Sequence, residues 1–302
     1  MTTVVTGASG FIGRVLCREL VGAGHEVVAL DRVPPEPLGG VAELTVDLLA
    51  DDGRIDDALA EATTVFHLAA RAGVRDPHPD SARLQHRDNV LATERLLSRV
   101  RHRTHVVFTS SSSVYGGCRG ARASAEGDPL LPRGSYARSK VAAERLCRQR
   151  SAVCGRTTVV RPFTVVGEGQ RDDMALRRWI HAAVADRPLT VFGSLHRTRD
   201  FTDVREVARA LMALAERGVD DVVNVGTGSP RRLSEAVAAI AEVTGTRPEV
   251  EVVEARTDEV PHTRADITRL VHHTGVRPQL DLPSVIRRIA ADVPTPGTRT
   301  TP

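Results

Sequence analysis

Tyr136 and Lys140 stand four residues apart in the stretch Ser135-Tyr136-Ala137-Arg138-Ser139-Lys140. On a helix that spacing puts both side chains on one face, within reach of one ligand. A nearby ammonium favours the phenolate and so brings a phenol toward useful proton-transfer chemistry. Composition sharpens the pairing. Of 41 basic residues Lys140 is the sole lysine, and Tyr115 and Tyr136 are the only two tyrosines. Where arginine fills every other basic position, a lysine marks a place that asks for a compact ammonium. Just upstream, Ser110-Ser111-Ser112-Ser113-Val114-Tyr115-Gly116 follows an apolar run. A serine at the carboxyl edge of a strand can hydrogen-bond the same oxygen that the phenol deprotonates. A Tyr-x-x-x-Lys pair by itself is as often a surface pair, so the rest of the chain has to decide.

The deciding segment is Thr6-Gly7-Ala8-Ser9-Gly10-Phe11-Ile12-Gly13, which joins an apolar run to a helical pattern. Gly7 permits a tight turn, Gly10 lets a pyrophosphate approach the backbone, and Gly13 lets the helix pack closely on the sheet. The helix N-terminus then offers free N–H groups to the anion. The second strand ends at Asp31, where a carboxylate can accept the hydroxyls of an adenosine ribose and repel a 2′-phosphate. That favours NAD over NADP; Arg32 beside it tempers the preference. Asp47, after the third strand, is placed either to meet the adenine amine or to sit in a solvated loop.

These residues need a frame that gathers strand ends. Thr2–Thr6, Glu26–Leu30, Glu43–Val46, Thr63–Leu68, Thr104–Thr109 and Thr157–Arg161 read as strands, separated by helices over 11–23, 80–100 and 135–154, with Ser135 as the cap of the last. Apolar strands alternating with helices predict an α/β fold, a doubly wound parallel sheet of the Rossmann type covered on both faces. After Arg161 the rhythm breaks, and Val222–Val225 is the run that could rejoin the sheet. The expected division is a dinucleotide-binding domain over 1–163 plus about 202–228, a smaller discontinuous substrate-binding domain over 164–201 plus 229–293, and a flexible Pro/Thr-rich tail over 294–302.

Composition bounds the function. The chain has 302 residues, 41% apolar and 26% charged, as soluble globular proteins do. There is no apolar run long enough for a membrane span and no signal-peptide pattern. A net charge of +3 without a basic block gives no reason to expect nucleic acid. The four cysteines, Cys17, Cys118, Cys147 and Cys154, lack metal-ligand spacing and read as reduced thiols of a cytoplasmic protein. No metal is expected.

Taken in order, these segments resemble the extended short-chain dehydrogenase/reductases, specifically the NAD-dependent nucleotide-sugar epimerase/dehydratase group. The resemblance runs over about residues 2–290 and adds Asp47-Leu48, His67-Leu68-Ala69-Ala70, Asn89, Arg161-Pro162-Phe163, Gly169-Gln170-Arg171, Arg199-Asp200-Phe201, Asn224-Val225-Gly226 and Ala265-Asp266. It implies tightly bound, recycled NAD, contacted by Gly7, Gly10, Phe11, Ile12, Gly13, Asp31, Arg32, Asp47, Leu48, Leu68, Ala69, Ala70, Tyr136, Lys140 and Pro162. It implies catalysis by Tyr136, Lys140 and Ser111, with Tyr136 taking the proton from a sugar hydroxyl, usually O4. The implied substrate is a nucleotide-diphosphate sugar held by Arg75, Ser111, Ser112, Ser113, Tyr136, Thr164, Arg199 and Arg256; Arg75 lies in an Ala72-Gly73-Val74-Arg75 loop like that of uronate-acting members. The family's dehydratases carry an Asp-Glu pair where this chain has Ser112-Ser113, and Val166-Gly167-Glu168 departs from the usual Tyr-Gly-Pro. The leading expectation is therefore a UDP- or dTDP-sugar 4-epimerase, with a 4-ketoreductase, a dehydratase or a decarboxylase as alternatives and an NAD-binding sensor least favoured. A homodimer built on helices 80–100 and 135–154 is implied by analogy.

Overall fold

The computed structural model describes residues 2–34, 37–73, 78–118, 122–153, 155–255 and 259–293. Seven parallel strands form one sheet: β1 (Thr2–Thr6), β2 (Glu26–Asp31), β3 (Val41–Thr45), β4 (Thr64–His67), β5 (His105–Thr109), β6 (Thr157–Pro162) and the strand Val222–Val225. Their spatial order is Val222–Val225, β6, β5, β4, β1, β2, β3. Every residue of β5 and β6 is buried, because helices cover both faces and leave no solvent side to select polar residues. Chain order reverses between β1 and β4, whose registers place Thr6 opposite His67. That reversal opens a crevice at the carboxyl ends of the strands, the usual ligand position in such sheets. The run Val222–Val225 does rejoin the sheet, beside β6.

Helix α1 (Phe11–Gly22) follows the glycine turn and buries Val15, Leu16 and Leu20 against the sheet. The long helical stretch expected over 80–100 is not regular. It starts as Ser81–Gln85, passes through a π-helical turn at His86–Leu91 and resumes as Ala92–Arg99. Within this turn Asp88, Asn89 and Val90 are all buried. The wider turn re-aims them, as π-bulges do where a helix wall has work at one point. The helix that carries Tyr136 and Lys140 runs over Gly134–Val153, so Ser135 lies inside it and does not cap it. Pairing of β5 with both β4 and β6 brings the start of this helix to the crevice.

A second apolar core lies away from the main sheet. Helices Ala175–Val184, Leu233–Thr244 and Leu282–Ala291 pack Trp179, Ile180, Ile240, Ile286 and Ile289 around the parallel pair Leu189–Phe192 and Val250–Val253. Trp179 satisfies its indole N–H on the Thr190 carbonyl at 2.9 Å, so the large ring is buried without stranding its donor. Arg75, Cys154, Arg256 and the tail over 294–302 fall outside the described residues.

Candidate active site

At the end of β1 the chain turns through Gly7 with φ +74°. A Cβ there would fall 2.5 Å from the Ala69 nitrogen, and one on Gly13 would fall 2.1 Å from the Gly7 carbonyl oxygen. Both positions therefore require glycine: one for the left-handed turn and close approach to the β4 loop, the other for helix-to-turn packing. The turn and the α1 N-terminus open on two adjoining cavities. The first, about 300 Å³, is lined by Asp31, Arg32, Asp47, Leu48, Leu68, Ala69 and Ala70 among others. The second, about 700 Å³, takes in Phe11, Ile12, Gly13, Lys140, Tyr136 and Pro162. Every residue expected from the sequence to hold the dinucleotide lines one of these two spaces.

The carboxylate of Asp31 is fixed at the edge of the first cavity. One oxygen accepts the Ser9 N–H at 3.0 Å and the other the Val33 N–H at 3.2 Å, leaving lone pairs toward the first cavity. Asp47 is more fully engaged: it accepts the Leu49 N–H at 2.9 Å and pairs with Arg87 at 2.7 Å. Partial burial opposes its charge, but those partners hold its pKa below the ordinary carboxylate value. Arg32 donates to Asp88 at 3.2 Å. Ser9 and Asp88 had no sequence signal as pocket residues. Behind the glycine turn, His67 is fully buried between Thr6 and Thr93, and burial pushes its pKa down to about 3. Thr93 donates its hydroxyl to the Asn89 carbonyl, so it accepts from His67 Nε2–H, and Nδ1 then accepts from Thr6. That ring is neutral and bonded at both nitrogens.

On the other wall stand Tyr136, Lys140 and Ser111. Lys140 is buried, donates to the Thr109 carbonyl at 2.9 Å and lies 5.0 Å from the Phe108 ring centroid. Burial lowers its pKa to about 8, with Cys147 and Glu144 nearby pulling it back up. Ser111 is the extended residue before the short 3-10 turn Ser112–Tyr115, and its hydroxyl accepts the Ser113 N–H at 3.2 Å. Ser111 and the Tyr136 phenol line the same cavity. Burial raises the phenol's pKa, against which Ser111 and the Arg171 charge act. The Lys140 ammonium is meanwhile held on the Thr109 carbonyl. Arg171 was quoted as part of a motif but not recognised as a site residue.

Beneath this wall lies a buried network that sequence reasoning missed. Glu144 accepts from Ser110 at 2.5 Å and from Arg161 at 2.9 and 2.7 Å; Arg161 also donates to Tyr115 at 2.8 Å, which donates to Asn224 at 2.7 Å. The available signal was spacing, since Tyr136, Lys140 and Glu144 succeed one another at four-residue intervals on one helix face.

The larger cavity continues past the phenol to Ser112, Ser113, Thr164, Arg133 and Arg199. Arg199 donates to the carbonyls of Thr198 and Pro261 and lies 3.6 Å from Glu259. Of the expected substrate residues, Arg75 and Arg256 lie outside the described residues and the others all line this cavity. Arg14, Arg133, Lys140, Arg171 and Arg199 contribute five cationic side chains to it, and no Asp or Glu is among the described residues of its lining. Two hydroxyls in its wall, Thr109 Oγ1 and Ser113 Oγ, are buried without a hydrogen-bond partner among the described residues. Buried polar atoms are rarely left so unless a ligand satisfies them. No cluster of metal-ligating side chains occurs among the described residues.

A glycine cradle shaped for a dinucleotide, a phenol–serine–lysine wall beside it and a cationic pocket beyond define a dinucleotide-dependent enzyme of the short-chain dehydrogenase/reductase type. The chain belongs to the NAD-dependent epimerase/dehydratase family, whose model matches residues 3–226. An uncharacterised UDP-glucose epimerase, YtcB, of Bacillus subtilis is 31% identical, covering 90% of this chain and 92% of its own. The structure of MoeE5 in complex with UDP-glucuronic acid and NAD superposes with a TM-score of 0.87 at 38% identity, covering 96% of this chain and 98% of the other. A UDP-glucuronic acid 4-epimerase from Bacillus cereus, solved with UDP-glucuronic acid and NAD, superposes with a TM-score of 0.89 at 27% identity, covering 97% and 98%. Relatives also include a UDP-N-acetyl-alpha-D-glucosaminuronate decarboxylase of Bacillus cytotoxicus and a GDP-6-deoxy-D-mannose reductase of Pseudomonas aeruginosa. The family's common ground is NAD-dependent chemistry on nucleotide sugars; the reaction differs among members.

Proposed function

We propose that the protein is an NAD-dependent nucleotide-sugar 4-epimerase acting on a UDP-sugar, UDP-glucuronic acid foremost. The observation that carries the reading is the lining of the larger cavity: Tyr136, Ser111 and Lys140 share a wall, cations surround it, and its described residues include no carboxylate. Elimination of water from a sugar needs a positioned acid and base, and Ser112 and Ser113 offer only hydroxyls. Proton exchange at one sugar oxygen, by contrast, needs no more than the phenol. Two phosphates and a uronate are anions, and arginines suit them through paired hydrogen bonds. The likeness to MoeE5, solved with UDP-glucuronic acid and with UDP-glucose, supports the same substrate class.

In this reading Tyr136 removes the proton from the C4 hydroxyl and returns it after the sugar has turned. Ser111 holds the same oxygen and keeps the phenol oriented. Lys140, fixed on the Thr109 carbonyl, presents its remaining N–H donors to the cavity beside the phenol. Gly7, Gly10 and the first turn of α1 would hold the dinucleotide pyrophosphate, and Asp31 the adenosine ribose. NAD, when bound, supplies the acceptor and later the donor of the C4 hydride through a transient 4-keto sugar. Because the cycle is redox-neutral, product and substrate have equal mass. Chromatography of UDP-glucuronic acid incubated with the protein should show a new isomer of unchanged mass. Tyr136→Phe should lower kcat about 10²–10⁴-fold, the usual weight of a proton-transfer group. Loss of water or carbon dioxide, or net consumption of a reduced dinucleotide, would replace this reading with a dehydratase, decarboxylase or reductase.

A further inference from the structure

Asp88 lies in the π-helical turn His86–Leu91, 7% exposed, and lines the smaller cavity together with Asp31, Arg32 and Asp47. One of its oxygens, Oδ1, receives both Arg32 at 3.2 Å and Arg87 at 2.5 Å. Arg87 also reaches Asp47 at 2.7 Å. Three carboxylates and Arg32 thus line this pocket, Arg87 bridges two of the carboxylates, and the buried one is Asp88. A guanidinium at this position of a doubly wound fold is what accommodates the 2′-phosphate of NADP. Here the Arg32 guanidinium is turned onto Asp88 instead.

We propose that Asp88 determines cofactor choice: by holding Arg32, and by adding a charge of its own, it keeps the adenosine pocket net acidic and selective for NAD over NADP. The proposal rests on the cofactor reading above. In the same turn Asn89 bonds the Arg71 backbone and Ser139 on the helix that carries Tyr136 and Lys140. The π-turn therefore serves two sites at once, the adenosine pocket through Asp88 and the Tyr136/Lys140 helix through Asn89. Arg32 is half exposed on a long flexible stem, so releasing it needs no rearrangement of the fold.

Equilibrium titration of the full-length protein with NADH and with NADPH, followed by dinucleotide fluorescence, tests this without recourse to turnover. The wild type should favour NADH by at least about tenfold, and Asp88→Asn should narrow that ratio about tenfold, chiefly through tighter NADPH binding. Adding Arg32→Ala to Asp88→Asn should restore the wild-type ratio. If Asp88→Asn binds NADH but leaves the ratio unchanged, the proposal is overturned and the cofactor reading stands. If Asp88→Asn does not fold, Arg32→Ala alone decides. A ratio within about threefold of wild type supports a guanidinium already sequestered, and a loss of NADPH affinity beyond about tenfold shows a free one and overturns the proposal. Failure of the wild type to bind either dinucleotide removes the cofactor reading itself, and the proposal with it.

Discussion

At the scale of single residues, the site depends on keeping a charged amine in a place that disfavours charge. Lys140 is 3% exposed, and burial brings its pKa from 10.5 to about 8. That displacement corresponds to about 3 kcal/mol at about 1.4 kcal/mol per factor of ten. The folded protein releases the proton near pH 8, while the unfolded chain keeps it to about 10.5. Between those values the unfolded state binds more protons, so this residue makes stability rise with pH. Denaturant titrations of wild type and Lys140→Met across that range should show the stability of the variant relative to the wild type falling by about 3 kcal/mol as pH increases. A difference that stays flat would mean that the ammonium is solvated. The constant loss of the Thr109 hydrogen bond drops out of the change in this difference with pH.

Elements hold these residues through one buried ion pair. Glu144 on the Gly134–Val153 helix and Arg161 on β6 are 0% and 1% exposed and bonded through two contacts. Ser110 at the end of β5 joins from one side and Tyr115 from the other, so helix, two strands and the serine turn share one polar knot. A pair of this kind adds little net stability over a well-packed apolar substitute, but removing one partner strands the other. Glu144→Ala should therefore cost about 3–5 kcal/mol in chemical denaturation, and Glu144→Leu combined with Arg161→Met should recover much of it. A loss under about 1 kcal/mol for the single variant would show that water reaches Arg161. In the recovered double variant the Ser110 hydroxyl lacks its partner, so turnover should fall even where stability returns.

For the whole molecule, the cavity is lined both by the main sheet's strand ends and by Arg199, Val260 and Thr263 from beyond it. A ligand filling this space binds only the folded chain and should stabilise it by mass action, by about 2.7 kcal/mol at a hundredfold excess over Kd. Thermal unfolding should thus shift upward with added NAD in the logarithm of its concentration, and again with UDP. A shift with UDP that vanishes in moderate salt would fit a purely screened attraction, whereas a retained shift fits arginines bonded inside the cavity. Among the described residues no helix is long and apolar enough to cross a membrane.

Much of this was legible in one dimension because its determinants are local. Alternating buried runs such as Val106–Phe108 and Val159–Val160 report strands covered on both faces, and Gly7 and Gly13 report turns that reject a Cβ. Tyr136 and Lys140 report a shared face because helical geometry repeats on a short period. What the chain order could not disclose comes from pairing across distance. The partnership of Glu144 with Arg161 and the turning of Arg32 onto Asp88 each join residues whose separation in sequence carries no imprint of their contact. The π-turn that buries Asp88, Asn89 and Val90 together is likewise a compromise between a helix and the two surfaces it must meet. Sequence determined the framework and the reactive groups; tertiary packing decided their charges and partners, because burial and electrostatics depend on every neighbour that folding brings near.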